Sequence, residues 1–391
     1  MIPVLLWIVI RLITSLIAGM VSSIKPLTPL EATVPYFPPS IPIDQWLQRA
    51  FLSPWMRWDA LWFQRIVTHG YSSTDGTAQF HPLYPLTATP FAKLGFTPAL
   101  SLLIVSMLAG IALYFFFIKL ARYDLSQSDA VFALMLFAFA PPAFIIFAPY
   151  SEALFLVAAV TCVIFIRQKS WFLAGLMGGL AALTRQQGII LLIPMGWELW
   201  ENAGRRLENM RKQWRDWLTL ALIPLGLLVW LIYRAFYLND LHINFTNFQG
   251  FLYSAAISPS ANKVVPMQQF VWPWLAIKIT FTKLITQPDL DIWVNVIAAL
   301  IFLILLALTW NKMRLSYRFY SLLITIVSFS YSTGSIHPYM GLPRHLFLAF
   351  PVFIGLATIV INRWIRLGLI LFSILIMSFL LILYVLEAWI P

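Results

Sequence analysis

Apolar positions run in long blocks along this chain, and the breaks between the blocks are short and mostly basic. About 20 apolar residues are enough for a helix to cross a bilayer. Blocks of that length begin at Ile2–Ile24 and recur to the end of the sequence, so the pattern predicts an all-α polytopic membrane protein. Residues 1–391 read as a single integral membrane domain without a soluble half. Five short connections, at 119–124, 167–169, 205–215, 312–318 and 363–366, hold 14 of the 26 Lys and Arg residues in 31 positions. The positive-inside rule makes these the cytoplasmic loops. Two long polar stretches, 25–97 and 239–290, hold only 8 basic residues in 125 positions, which puts both on the non-cytoplasmic face and the N-terminus in the cytoplasm.

One block breaks the parity. The chain must cross an even number of times between the loops at 167–169 and 205–215, yet Trp171 to Trp197 is only 27 residues. Two full crossings need about 40. A hairpin of two short half-helices resolves this, broken at "TRQQG" (Thr184 to Gly188) with Arg185 near its tip, because irregular backbone at membrane depth is tolerated where protein or a watery cavity surrounds it. Counting the hairpin as two gives about eleven membrane helices. The first block carries Arg11 in its middle and has no basic leader, so it reads as a retained anchor rather than a signal peptide.

Composition sharpens this picture. The chain is 61% hydrophobic and 10% charged, with a mean hydropathy of +0.82, values that belong to a membrane protein. A net charge of +11 would suit nucleic acid if it were concentrated, but it is scattered between apolar blocks, as membrane orientation requires. The lone Cys162 excludes a disulfide framework and a cysteine metal site. No Walker loop, G-x-S-x-G elbow or dinucleotide fingerprint is present.

The polar residues that remain gather in the predicted non-cytoplasmic segments. In "RWDALWF" (Arg57 to Phe63), a helix at about 100° per residue would put Trp55, Trp58, Trp62, Phe63 and Ile66 on one apolar arc with Asp59 inside it. A Trp-rich amphipathic helix lying in the headgroups accounts for the tryptophans. It leaves Asp59 unexplained, since a charge on an apolar face is costly. "FHPLYP" (Phe80 to Pro85) follows, after His69. In "PYSEALF" (Pro149 to Phe155), Ser151 and Glu152 could simply cap the next helix. Arg185 sits in the apolar hairpin. Arg344 and His345 stand at the outer end of a block in "LPRHLFLAFP" (Leu342 to Pro351), where a basic residue is commonly an interfacial anchor. Asp289 and Asp291 form a D-x-D just before an apolar block, where acidic residues favour a helix N-terminus. His69, His81 and His337 share this face, but their spacing matches no metal motif. No metal and no cofactor is expected.

In this order, Trp58-Asp59 with "HGY" (His69 to Tyr71), "FHPLYP", "PYSEALF", "LAALTRQQG" (Leu180 to Gly188) and "LPRHLFLAFP" resemble the PIG-V family, the GPI mannosyltransferase 2 type of GT-C glycosyltransferase. The resemblance implies a GT-C-like fold and an inverting, metal-independent transfer of a sugar, mannose in that family, from a polyprenyl-phosphate donor to a glycan or glycolipid acceptor. The site would lie at the non-cytoplasmic face of a bacterial plasma membrane or an endoplasmic reticulum membrane. It also implies that Asp59 is the catalytic carboxylate. Chemistry assigns the neighbours. A carboxylate can take the proton of an attacking hydroxyl, and fixed cations should meet the leaving phosphate, for which Arg344 and Arg185 are the candidates. Trp58, His69, His81, Tyr84, Glu152 and His345 are candidates for substrate binding. Membrane lipid is an expected partner and nucleic acid is not. A transporter or flippase for a lipid-linked sugar is the competing reading, because broken helices and intramembrane charge occur there too. A scaffold subunit with a decayed site is a third.

Overall fold

The computed structural model describes residues 2–25, 37–39, 41–43, 45–259, 269–333, 337–339 and 341–387. Its architecture is helical, with one two-residue antiparallel pairing of Gln269–Phe270 with Tyr331–Ser332 among the described residues. Among the described residues five helices, Ile2–Ile24 (α1), Pro98–Ala121, Trp214–Leu238, Leu290–Lys312 and Arg363–Val385, are long and apolar enough to cross a membrane. Shorter apolar helices, among them Gln127–Ala138, Trp171–Thr184 and Leu315–Ser330, fill in between them. The chain is therefore an integral membrane protein by the length and composition of its helices.

Three elements fix the position of the polar residues. The helix Asp59–His69 (α2) follows the first long helix, Glu152–Arg167 (α3) packs along both Pro98–Ala121 and Trp171–Thr184 (α4), and the short Leu342–Phe347 (α5) packs against Leu315–Ser330. The C-terminal helix Arg363–Val385 (α6) returns to pack on α1. The expected break at "TRQQG" is present: α4 ends at Thr184, Arg185 is extended (φ −154°, ψ 144°), and Gln186–Leu191 coils tightly before Leu192–Asn202. Gly188 folds back so closely on α4 that a Cβ there would stand 2.1 Å from the Ala182 nitrogen.

Arg11 shows how this fold accommodates a cation inside an apolar helix. It is buried, its Nη1 donates to the Phe147 carbonyl at 2.9 Å, and its guanidinium lies 4.7 Å from the Trp55 ring centroid. A carbonyl and an aromatic face supply what water cannot. The two long polar stretches also meet: Gln79 donates to the Ala256 carbonyl at 3.1 Å and accepts from the Ser258 amide at 2.7 Å.

Two expectations need correction. The helix read from Trp55 through Ile66 begins only at Asp59, because Ser53–Trp55 is a separate tight turn and Trp58 takes φ 50°, ψ −116°. The interfacial reading of its tryptophans also fails, since Trp55, Trp58 and Trp62 are buried against the protein. Trp62, for example, stacks on Phe80 at 5.8 Å.

Candidate active site

The site is built where four chain breaks converge. Trp58 reverses the backbone so that Asp59 opens α2, and its carboxylate sits in the first turn, where the helix dipole favours it. A bulky residue at φ 50° is a genuine outlier. Such strain persists only when the surroundings over-determine it. The buried coil 143–151 delivers Glu152 to the start of α3. The end of α4 delivers Arg185, and Gly341, at φ 77°, turns the chain into α5 so that Arg344 points back at both acids. A Cβ on Gly341 would stand 2.8 Å from Arg344 Nε.

The resulting geometry is a chain of alternating charge. Arg344 Nη1 lies 2.8 Å from Asp59 Oδ2, and its Nε lies 3.6 Å from Glu152 Oε1. Arg185 Nη1 lies 2.8 Å from the same Glu152 oxygen and donates to Ser151 Oγ at 3.0 Å. The Arg344 guanidinium also lies over Tyr150, 5.3 Å from its ring centroid. Asp59 keeps a quarter of its side chain exposed, whereas Glu152 keeps 1%. Neither Glu152 oxygen makes an aligned hydrogen bond, so its link to the two arginines is Coulombic. The four side chains sum to zero charge.

A family model, mannosyltransferase (PIG-V), matches residues 3–266 of this chain. The chain is a member of the PIG-V family. No curated protein and no solved structure matches it. Family membership makes it a glycosyltransferase of the mannosyl class, with a sugar donor and a glycan acceptor as partners. The matched segment holds Asp59, Glu152 and Arg185 but stops well before Arg344. Arg344 joins them through the fold.

The remaining candidates in this PIG-V protein fall into different places. His81 donates from Nδ1 to the Ala182 carbonyl at 2.9 Å, beside the end of α4, which leaves Nε2 as the acceptor nitrogen. Burial pushes its pKa down to about 3, and the charges of Arg234 and Arg185 act in the same direction, so the ring is neutral. Tyr84 is fully buried one layer away. It donates to the Leu102 carbonyl at 2.9 Å and pairs with Ser106 Oγ at 2.7 Å, and Ser106 in turn reaches the Tyr150 carbonyl at 3.3 Å. His345 packs 6.3 Å from Tyr331, next to Arg344 in sequence. Trp58 lies against Phe37 at 5.5 Å. His69 is exposed at the far end of α2, roughly 15 Å along the axis from Asp59. Ser151 and Glu152 do not act as a cap: Ser151 makes no side-chain cap bond, and both residues face arginines. The D-x-D pair also divides. Asp291 is buried on His337 at 2.8 Å, while Asp289 reaches Lys283 at 3.8 Å.

Tyr150, Tyr384 and Glu387 were not singled out by sequence, although they hold the Asp59 segment. Tyr150 lay within a quoted motif. Tyr384 and Glu387 sit at the end of an apolar run whose pattern signals only a span.

Proposed function

We propose that this chain transfers mannose from a polyprenyl-phosphate donor to a glycan or glycolipid acceptor at the non-cytoplasmic membrane face, with inversion and without a metal, and with Asp59 as general base. One observation carries the reading: a part-exposed carboxylate held 2.8 Å from a buried arginine that a second acid also holds. The acceptor oxygen attacks the anomeric carbon as the carbon–oxygen bond to the phosphate breaks, and the hydroxyl proton passes to Asp59. The departing phosphate gains a negative charge while Asp59 loses one. Arg344, released from a neutralised Asp59, is then available to the phosphate, and Arg185 supports it. Glu152 is enclosed, so its part is to hold the two arginines apart and in place rather than to meet substrate.

The test is mannose transfer by purified protein in detergent without any gradient, which a transporter would not perform. Asp59→Asn keeps the shape and removes the base, and turnover should fall at least about 10²-fold. Near-normal turnover would remove Asp59 from this role. The face is tested by labelling a cysteine placed at Ser73 in a Cys162→Ser background. Reaction only after the cytoplasmic side is opened would reverse the assignment.

A further inference from the structure

The strained turn that aims Asp59 is held by side chains from other segments of the chain. The Tyr384 hydroxyl, from the last turn of α6, donates to the Trp55 carbonyl at 3.0 Å. The Tyr150 hydroxyl donates to the Arg57 carbonyl at 2.9 Å. Glu387, just past α6, reaches Arg57 Nη2 at 3.2 Å. These bonds fix the backbone on the N-terminal side of Trp58, the residue at φ 50°. On the C-terminal side, the Ala60 and Leu61 amides bond back to the Arg57 and Trp58 carbonyls at 3.0 and 3.1 Å. Tyr150 does double duty, because its ring also underlies the Arg344 guanidinium. Base and cation thus take their positions from one side chain.

We propose that Tyr150, Tyr384 and Glu387 form a clamp that positions Asp59 against Arg344, making the end of the C-terminal helix a positioning element of the transfer reaction. The proposal rests on the reading of Asp59 as base. Free of the clamp, Trp58 would relax toward ordinary dihedrals, since strain of this kind persists only while its surroundings hold it, and Asp59 would swing away from Arg344. A displacement of about 1 Å at a reacting group can lower turnover by as much as about 10²-fold.

The experiment measures release of labelled mannose from polyprenyl-phosphate mannose, to octyl mannoside or to water, as a function of donor concentration. The variants are Tyr384→Phe, Tyr150→Phe and Glu387→Gln, alongside Asp59→Asn. The first three should lower kcat about tenfold while the donor concentration dependence stays within about twofold for Tyr384→Phe and Glu387→Gln. A merely structural loss would lower the yield of folded protein and leave kcat per folded molecule in place. If Tyr150→Phe fails to fold, Glu387→Gln decides, since that side chain is at the rim. Wild-type kcat in folded Tyr384→Phe and Glu387→Gln, with Asp59→Asn inactive, would overturn the clamp alone. An active Asp59→Asn would overturn the base reading and the clamp with it.

Discussion

Two clusters of charge stand at opposite ends of α3, roughly 22 Å apart along the helix, and they are built differently. At the C-terminal end, Arg167 Nη1 meets both oxygens of Asp124 at 2.7 Å and the Tyr317 hydroxyl at 3.0 Å. Beside it, Glu198 accepts from Arg314 at 3.2 Å and from Ser316 at 2.6 Å. These pairs are closed and reach the protein's rim. At the N-terminal end, two arginines share a carboxylate that is buried without an aligned hydrogen bond, and one of them also holds the part-exposed Asp59. A buried charge is costly unless its partners are complete. The first cluster is complete and reads as scaffold. The second leaves both Glu152 oxygens and the Nε atoms of Arg185 and Arg344 without an aligned hydrogen bond.

The comparison is broken most directly through stability. Glu152→Gln leaves two arginines with one acid in a buried place, and breaking such a pair costs about 3–5 kcal/mol. Asp124→Asn, at a cluster open to solvent, should cost no more than about 1 kcal/mol. Denaturation of both variants in matched detergent measures the difference. Equal losses would mean that the two ends are the same kind of structure.

Arginine geometry gives the next effect. Arg344→Ala should lower transfer about 10²-fold, the usual cost of removing a donor to a developing anion. Arg344→Lys should restore little of this, because an ammonium is a point charge without the planar fork. Weakened donor binding, read as saturation at higher donor concentration, should be the first symptom. Arg167→Lys, in the closed cluster, should stay within about twofold of wild type. A fully active Arg344→Lys would remove Arg344 from the phosphate role.

Much of this arrangement was legible in the sequence. The runs of apolar residues signalled a polytopic helical protein, and a 27-residue block too short for two crossings signalled the break at Arg185. Asp59, Glu152, Arg185 and Arg344 each stood out, although Glu152 also read as a helix cap and Arg344 as an interfacial anchor. Their mutual distances did not, because they lie on four separate segments and periodicity speaks only within one. The start of α2 was misplaced because a 3.6-residue period carries no sign of a backbone reversal at a tryptophan. Tyr384 was silent for a related reason: one tyrosine near the end of an apolar helix looks like any interfacial aromatic until the carbonyl it reaches, at Trp55, is known.

The smallest effect concerns His81, which lies next to the cluster at the N-terminal end of α3 and has no counterpart among the closed pairs described above. Its pKa in the fold, about 3, is below the ordinary 6.5 because burial disfavours the charged ring, so between these values the native state binds fewer protons than the unfolded chain. Stability from this residue is therefore complete above pH 6.5 and is lost as the pH falls from there toward 3. Between these values the slope approaches but cannot exceed the limit of about 1.4 kcal/mol per pH unit that one proton sets. His81→Asn keeps a donor near the position of Nδ1 for the Ala182 carbonyl and does not titrate. Thermal midpoints of wild type and His81→Asn, measured from pH 7 to pH 4 in one detergent, should converge as the pH falls, with wild type losing more. Parallel curves would mean that His81 takes up its proton in the fold as readily as in the unfolded chain, and the neutral acceptor nitrogen beside Arg185 would have to be given up.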